Sequence, residues 1–350
     1  MNVLIVDDSL VFRSAIRQAL EDVDGLKICG AVSNGQQAID ELQKNPNIDL
    51  ITLDLEMPVM DGMTTIQKIR EFDKEVKIIV FSSVTFSSAQ KTLECLELGA
   101  NDFIPKHKGG NNIQESVKII KDELIPRVKS FKYKTGPKEE PNKDVKSETV
   151  SSLGTYIQDM KKIDLMCIGC STGGPDALAK VFQAIETVPP FPILIVQHMP
   201  PIFTDRLAQS LDKKSVLSFS EAKRGDELRP GHCYIAPGDY HMELDSKKQI
   251  SLNQGEKVCY VRPAYDVLLS SVAENFNGQI LNLVLTGMGE DGLQGTKKLL
   301  TKNPYLLVQD EISSTVWGMP GAIYKANIGA KAIHLDKIGP TLEMIFKRFI

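Results

Sequence analysis

The sequence has no apolar run near the roughly 20 residues that a bilayer-spanning helix needs. The longest, such as PILIV and LNLVL, stop far short of that, so no transmembrane helix is expected. It also has no excess of positive charge. The formal net charge is −4, and binding to a phosphate backbone needs a clustered basic surface, so nucleic acid is not expected as a partner. The opening MNVLIVDDSL lacks a basic segment followed by an apolar signal core, which leads to the expectation of a cytoplasmic protein with no membrane insertion. Cysteine is sparse: the six (Cys29, Cys95, Cys167, Cys170, Cys233, Cys259) sit mostly inside apolar runs, where isolated thiols act as small hydrophobes, and no structural disulfide is expected. No internal repeat appears beyond a recurring β/α rhythm.

That rhythm is what the sequence does contain. With 350 residues, 42% hydrophobic and 25% charged, the chain has the composition of an ordinary globular protein and length for two domains. The runs VLIV, KICGAV, DLITLDL, KIIVFSS and DFIPK read as strands, alternating with amphipathic helices. In LVFRSAIRQALE, for instance, Phe12, Ile16, Ala19 and Leu20 recur at helical spacing. The expected fold over residues 1–125 is a five-stranded flavodoxin-like (βα)5 unit. Residues 126–160, rich in Lys, Glu, Pro, Ser and Thr, read as a linker. From 161 to 350 the alternation resumes with LMCIG, PILIVQH, VLSFS, CYIAPG, ILNLVLTG and YLLVQD. The expectation is a doubly wound, mostly parallel α/β sheet with a small antiparallel insertion around residues 216–260.

In the first unit acids stand where strands end: Asp7 and Asp8 after VLIV, and Asp54 closing ITLDL. The carboxyl ends of a parallel sheet form its ligand crevice. Three carboxylates converging there repel one another unless a cation sits among them, and an all-oxygen site suits Mg²⁺. Ser82 and Lys106, ending the fourth and fifth strands, add a hydroxyl and a fixed cation. The set suits phosphoryl transfer to a carboxylate. Helix capping is the plainer role for Asp7 or Asp8 taken singly. Taken together, these positions and the segment DLEMPVMDG resemble the receiver domain of bacterial response regulators. The resemblance implies Asp54 as phosphoacceptor, Asp7 and Asp8 as metal ligands with Asp54 and the Glu56 carbonyl, and Ser82 and Lys106 as phosphoryl contacts. Phe103 takes the place of the family's switch aromatic. Pro105 precedes Lys106 and His107 follows it, where the family commonly has Pro after the Lys.

In the second unit LMCIG runs into Cys170-Ser171-Thr172-Gly173-Gly174-Pro175, placing Ser171 on a tight strand-to-helix turn whose free amides point outward. It can be a nucleophile beside an oxyanion hole, part of a phosphate-binding loop (though the P-loop Lys is missing), or a plain helix cap. A Cys167/Cys170 redox pair is a further reading, with alternating strand geometry against it. A base is available in His198, at the end of PILIVQH. An acid to orient it is offered by Asp291, with Glu290 and Asp310 as competitors that spacing does not separate. The segments IGCSTGGP, VQHMPPIFTDRLA, YIAPGDYHMEL, LTGMGEDGLQG and VQDEISSTVWGMPGAI resemble the catalytic domain of the CheB family of chemotaxis methylesterases. The match implies a Ser171–His198–Asp291 triad with backbone donors at Thr172 and Met288. Cys170, Ala264-Tyr265 before Asp266, and Glu290 depart from the family's usual residues.

The two resemblances imply a phosphorylation-activated serine hydrolase that demethylates glutamate 5-O-methyl esters, releases methanol, and deamidates glutamines. They imply methyl-accepting chemotaxis receptors as substrates, a chemotaxis sensor histidine kinase as phosphodonor, Mg²⁺ in the receiver and no cofactor for the esterase. The unphosphorylated receiver is expected to restrain the esterase. A phosphorylation-dependent adaptor without catalysis and a nucleotide-binding output domain are the alternatives.

Overall fold

The computed structural model of the chain describes residues 1–106, 113–135 and 150–350. His107 and the centre of the expected linker lie outside the described residues. The chain divides into two compact units, Met1–Glu139 and Glu140–Ile350.

In the first unit β1 (Asn2–Val6), α1 (Leu10–Leu20), β2 (Lys27–Val32), α2 (Gly35–Lys44), β3 (Leu50–Asp54), α3 (Gly62–Phe72), β4 (Lys77–Ser83), α4 (Phe86–Glu97), β5 (Asp102–Lys106) and α5 (Ile113–Thr135) alternate. The sheet is parallel throughout, in the order β2-β1-β3-β4-β5. Helices cover both faces, which is why strands such as VLIV are apolar at every position rather than alternately. Ile16, Ala19 and Leu20 of α1 are buried, and Phe12 packs edge-on to Phe81 at 5.2 Å between centroids. Pro105 sits in β5, an edge strand, where a missing donor is tolerated.

The second unit comprises α6 (Val150–Asp159), β6 (Leu165–Cys170), α7 (Gly174–Gln183), β7 (Ile193–Gln197), α8 (Phe203–Asp212), β8 (Ser218–Glu221), β9 (His232–Ile235), β10 (His241–Leu244), β11 (Ile250–Asn253), α9 (Tyr265–Asn275), β12 (Ile280–Val284), α10 (Leu293–Leu299), β13 (Tyr305–Gln309), α11 (Met319–Lys325), β14 (Lys331–Ile333) and α12 (Leu335–Arg348). Its seven-stranded sheet runs β14-β13-β12-β6-β7-β9-β8, with every pairing parallel. From β6 the chain winds outward through β7 and β9, then returns to build the other half from β12. The crevice at the tip of β6, between β7 and β12, is therefore the topological switch point where such sheets bind ligands.

The expected small antiparallel hairpin is present. Among the described strands β10 and β11 form it; β8 and β9, in the same stretch, join the main sheet because the connection after Glu221 carries the chain back so that His232 starts beside Ser218. Helix also occupies both ends of the stretch read as a linker. Val128 and Phe131 of α5 are buried, and in α6 Leu153 and Ile157 are buried while the Tyr156 hydroxyl accepts from the Leu306 amide at 3.0 Å. A few apolar residues at helical spacing are enough to order these segments despite their polar composition.

Candidate active site

Ser171 leaves β6 into a turn that only small residues can make. Gly173 has φ +77°, and a side chain on it would collide with Thr315; one on Gly174 would overlap the Gln197 amide. Helix α7 is capped at Gly173 with no side-chain bond, so Ser171 is not its cap and its hydroxyl is left to other uses. His198 follows β7, and its amide donates to the Cys170 carbonyl at 3.1 Å, so strand pairing alone sets serine and histidine on neighbouring strand tips. The Gln197 side chain binds both turns, donating to the carbonyls of Ser171 (3.0 Å) and His198 (3.2 Å).

His198 Nε2 lies 2.8 Å from Asp291 Oδ2. The imidazole is 9% exposed and the carboxylate 2%. Of the three acids left open by spacing, Asp291 is the one on the histidine: Glu290 is exposed, and Asp310 accepts from Ser313. Asp291 also accepts from the amides of Tyr265 (2.6 Å) and Asp266 (2.9 Å), and so caps α9, whose own cap residue Ala264 has no side chain able to do so. Burial alone would raise the Asp291 carboxyl; the His198 bond and charge and the two helix amides outweigh it and hold it below the usual range. Asp266 returns the favour by accepting from the Gly295 amide of α10 at 2.6 Å, yet burial and the nearby Asp291 keep it above the usual range.

Among the described residues no hydrogen bond joins the Ser171 hydroxyl to His198. With Nε2 on Asp291, Nδ1 is the ring nitrogen left for a base. Of the two expected oxyanion donors, Thr172 follows Ser171 in the turn and is itself tied by the Thr286 hydroxyl, which donates to its carbonyl at 2.9 Å. Met288 follows Gly287, where a side chain would begin 3.0 Å from Ser171 Cβ and strike Met319. No described residue accepts from the Met288 amide. Sequence reasoning missed Gln197, Thr286 and the α9 amides. Only Gln197 carried a signal, as the neighbour of His198 in VQH.

Cys167 and Cys170 are both free and fully buried, and burial pushes both thiols far up. The redox reading has no reactive thiolate to rest on.

In the first unit Asp8, Asp54, Glu56, Ser82 and Lys106 line one cavity of about 280 Å³. Carboxylate oxygens of Asp7, Asp8 and Asp54 all lie within 4.8 Å of one another. Lys106 reaches both Asp7 and Asp54 at 2.8 Å. Burial works against that cation, but the two carboxylates hold its pKa above the ordinary value. Asp54, buried and beside Asp7, stays above the carboxylate range in spite of Lys106. Neither Asp7 nor Asp8 caps α1, a role taken by Ser9, so capping does not account for the acids. Ser82 lines the cavity, but its hydroxyl is bonded to Thr92 at 2.6 Å. Phe103 is buried.

Residues 166–342 match the CheB methylesterase family and residues 3–118 the response regulator receiver domain. The chain belongs to the CheB methylesterase family. A protein of Trichodesmium erythraeum named protein-glutamate methylesterase/protein-glutamine glutaminase is 38% identical, with 99% of this chain and 98% of that protein covered. One of the same name from Clostridium acetobutylicum is 35% identical over 99% of this chain and 98% of its own length. Among solved structures, the Thermotoga maritima CheB methylesterase catalytic domain aligns with 53% of this chain and all of its own at 35% identity and a TM-score of 0.50. This CheB-family chain thus pairs a receiver with an esterase sheet whose switch-point crevice holds a serine, a histidine and a buried aspartate.

Proposed function

We propose that the chain is a receptor-modifying serine hydrolase under phosphorylation control, with Ser171, His198 and Asp291 as its triad. The observation that carries this is the 2.8 Å bond between His198 and a buried Asp291, one strand tip from a serine that caps nothing. Asp291 fixes the imidazole with its proton on Nε2, and Nδ1 takes the Ser171 proton as the oxygen attacks the γ-carbonyl of a glutamyl methyl ester. Backbone N–H groups of Thr172 and Met288 receive the oxyanion. Collapse of the tetrahedral adduct expels methanol, protonated by His198, and leaves an acyl-serine. Water, deprotonated by the same nitrogen, then releases the glutamate. On a glutamine side chain the same steps expel ammonia, giving deamidation.

Asp54 accepts the phosphoryl group from the phosphohistidine of a chemotaxis kinase, with Lys106 offsetting its charge and Ser82 turning toward it. Asp7, Asp8, Asp54 and the Glu56 carbonyl would hold Mg²⁺; hard oxygens this close fit that ion. When bound, it supplies charge neutralisation for the incoming phosphoryl. Methyl-accepting chemotaxis receptors are the substrates, and the cytoplasm is where the two meet.

A fluorophosphonate probe tests the nucleophile directly. Labelling at Ser171 that disappears in His198→Ala is expected; an enzyme that stays unlabelled contradicts the triad.

A further inference from the structure

Between β11 and α9 the chain makes a two-residue turn. The amides and carbonyls of Val258 and Val261 exchange hydrogen bonds of 3.2 and 3.0 Å across it. Its two central residues are Cys259 (φ 52°) and Tyr260 (φ 65°). Two successive left-handed residues are the geometry of a type I′ turn, which Asn-Gly or Gly-Gly fill without strain. Here a thiol and an aromatic ring fill it, and a bulky residue in this region is a costly outlier that persists where the surroundings impose it.

The surroundings do so on one side only. Cys259 Sγ lies within 4.8 Å of carboxylate oxygens of Asp266 and of Asp291, the histidine's partner. Burial, with those acids and Glu290, pushes this thiol up to about 11, so it stays neutral and adds no further charge beside them. Behind the turn Arg262 is a brace: it donates twice to Asp239 Oδ1 (3.1 and 2.6 Å) and to the carbonyls of Gln254 (3.0 Å) and Gly255 (2.6 Å). The turn is therefore fixed against the acid end of the His198–Asp291 pair. Tyr260, at its tip, is 94% exposed. The strained backbone thus holds the ring out in solvent.

We propose that Tyr260 reads the protein substrate: its ring packs on the polypeptide flanking the glutamyl methyl ester while that ester sits beside Ser171. A rigid arm with a large, two-torsion aromatic at its tip is well suited to this, since little freedom is lost when it binds. The inference rests on the esterase reading above and adds to it a residue that selects a polypeptide over a small ester.

The test is steady-state methanol release from a methylated receptor cytoplasmic fragment by the full chain, alongside hydrolysis of p-nitrophenyl acetate and a thermal melt. Tyr260→Ala and Tyr260→Gly should raise KM for the receptor about ten-fold, as for an interface aromatic cut back, with kcat within about two-fold. The ratio of receptor to small-ester kcat/KM should fall by the same factor, and Tyr260→Phe should restore it. Glycine accepts a positive φ freely, so Tyr260→Gly should melt no lower than wild type even as it binds the receptor more weakly. Unchanged KM in both variants overturns the inference, as does a fall of kcat, small-ester turnover and melting temperature together, which marks Tyr260 as a mere support for Asp291. A wild-type enzyme that cleaves the small ester yet is inert toward methylated receptor sinks the esterase reading as well.

Discussion

His198 faces Asp291 through Nε2, at 2.8 Å, which is the reverse of the chymotrypsin pattern, in which the aspartate takes Nδ1 and Nε2 serves the serine. In the proposed triad Asp291 therefore decides which nitrogen is basic. Asp291→Asn should lower kcat for methanol release by on the order of 10⁴, the scale set by wrong-tautomer variants. Because Asp291 also caps α9, Asp291→Ala, which removes both acceptor oxygens, should melt earlier, by about 1 kcal/mol of stability for a lost cap. Activity within ten-fold of wild type would show that another group orients His198.

Gly287 presses against Ser171. A methyl there would begin 3.0 Å from Ser171 Cβ and strike the buried Met319. Gly287→Ala should displace the nucleophile or the Met288 amide, and displacements near 1 Å typically cost about 100-fold in kcat. Methanol release measured beside far-ultraviolet circular dichroism checks this, and full activity would refute the contact.

The acid limb of stability carries a signature of Glu343. Its carboxylate accepts from the amides of Glu186 and Thr187 and the Thr187 hydroxyl, and pairs with Lys347 at 3.0 Å. Burial opposes them, yet together these bonds bring it from 4.5 down to about 2. A folded-state pKa below the unfolded one stabilises the protein above the unfolded value, and that stability is lost as pH falls toward the folded value. The melting-temperature gap between wild type and Glu343→Gln should thus be full at pH 6 and shrink from about pH 4.5 toward pH 2. A gap that widens on acidification would contradict the assignment.

Much of this was legible in the sequence because it depends on local periodicity. The five receiver strands, the strands bearing Ser171 and His198, and the acid cluster of Asp7, Asp8 and Asp54 all follow from apolar runs ending in chemistry. What stayed hidden is set by tertiary contact. Asp291 stands apart from Glu290 only because the chain buries it on the α9 amides, and no spacing rule reveals which of two adjacent acids turns inward. The parallel placement of β8 beside β9 rests on a long connection without helical pattern. The ordering of α6 depends on Tyr156 and Leu306, far apart in sequence, and composition there pointed to a linker. The brace from Arg262 to Asp239 is likewise invisible until the loops meet.

Divalent cation should stabilise the receiver. With Asp7, Asp8 and Asp54 gathered within 4.8 Å, Mg²⁺ at a hundred times its Kd adds about 2.7 kcal/mol by mass action. Asp8→Ala should abolish the shift seen by thermal melting, and a shift that survives it would place the ion elsewhere.

The most direct measurement is methanol release from methylated receptors by wild type and Ser171→Ala, each with and without a small phosphodonor and Mg²⁺. Wild-type turnover that rises with the phosphodonor, and a folded Ser171→Ala slower by on the order of 10⁴ under both conditions, is the expected result. Near-normal methanol release by folded Ser171→Ala would contradict the serine mechanism.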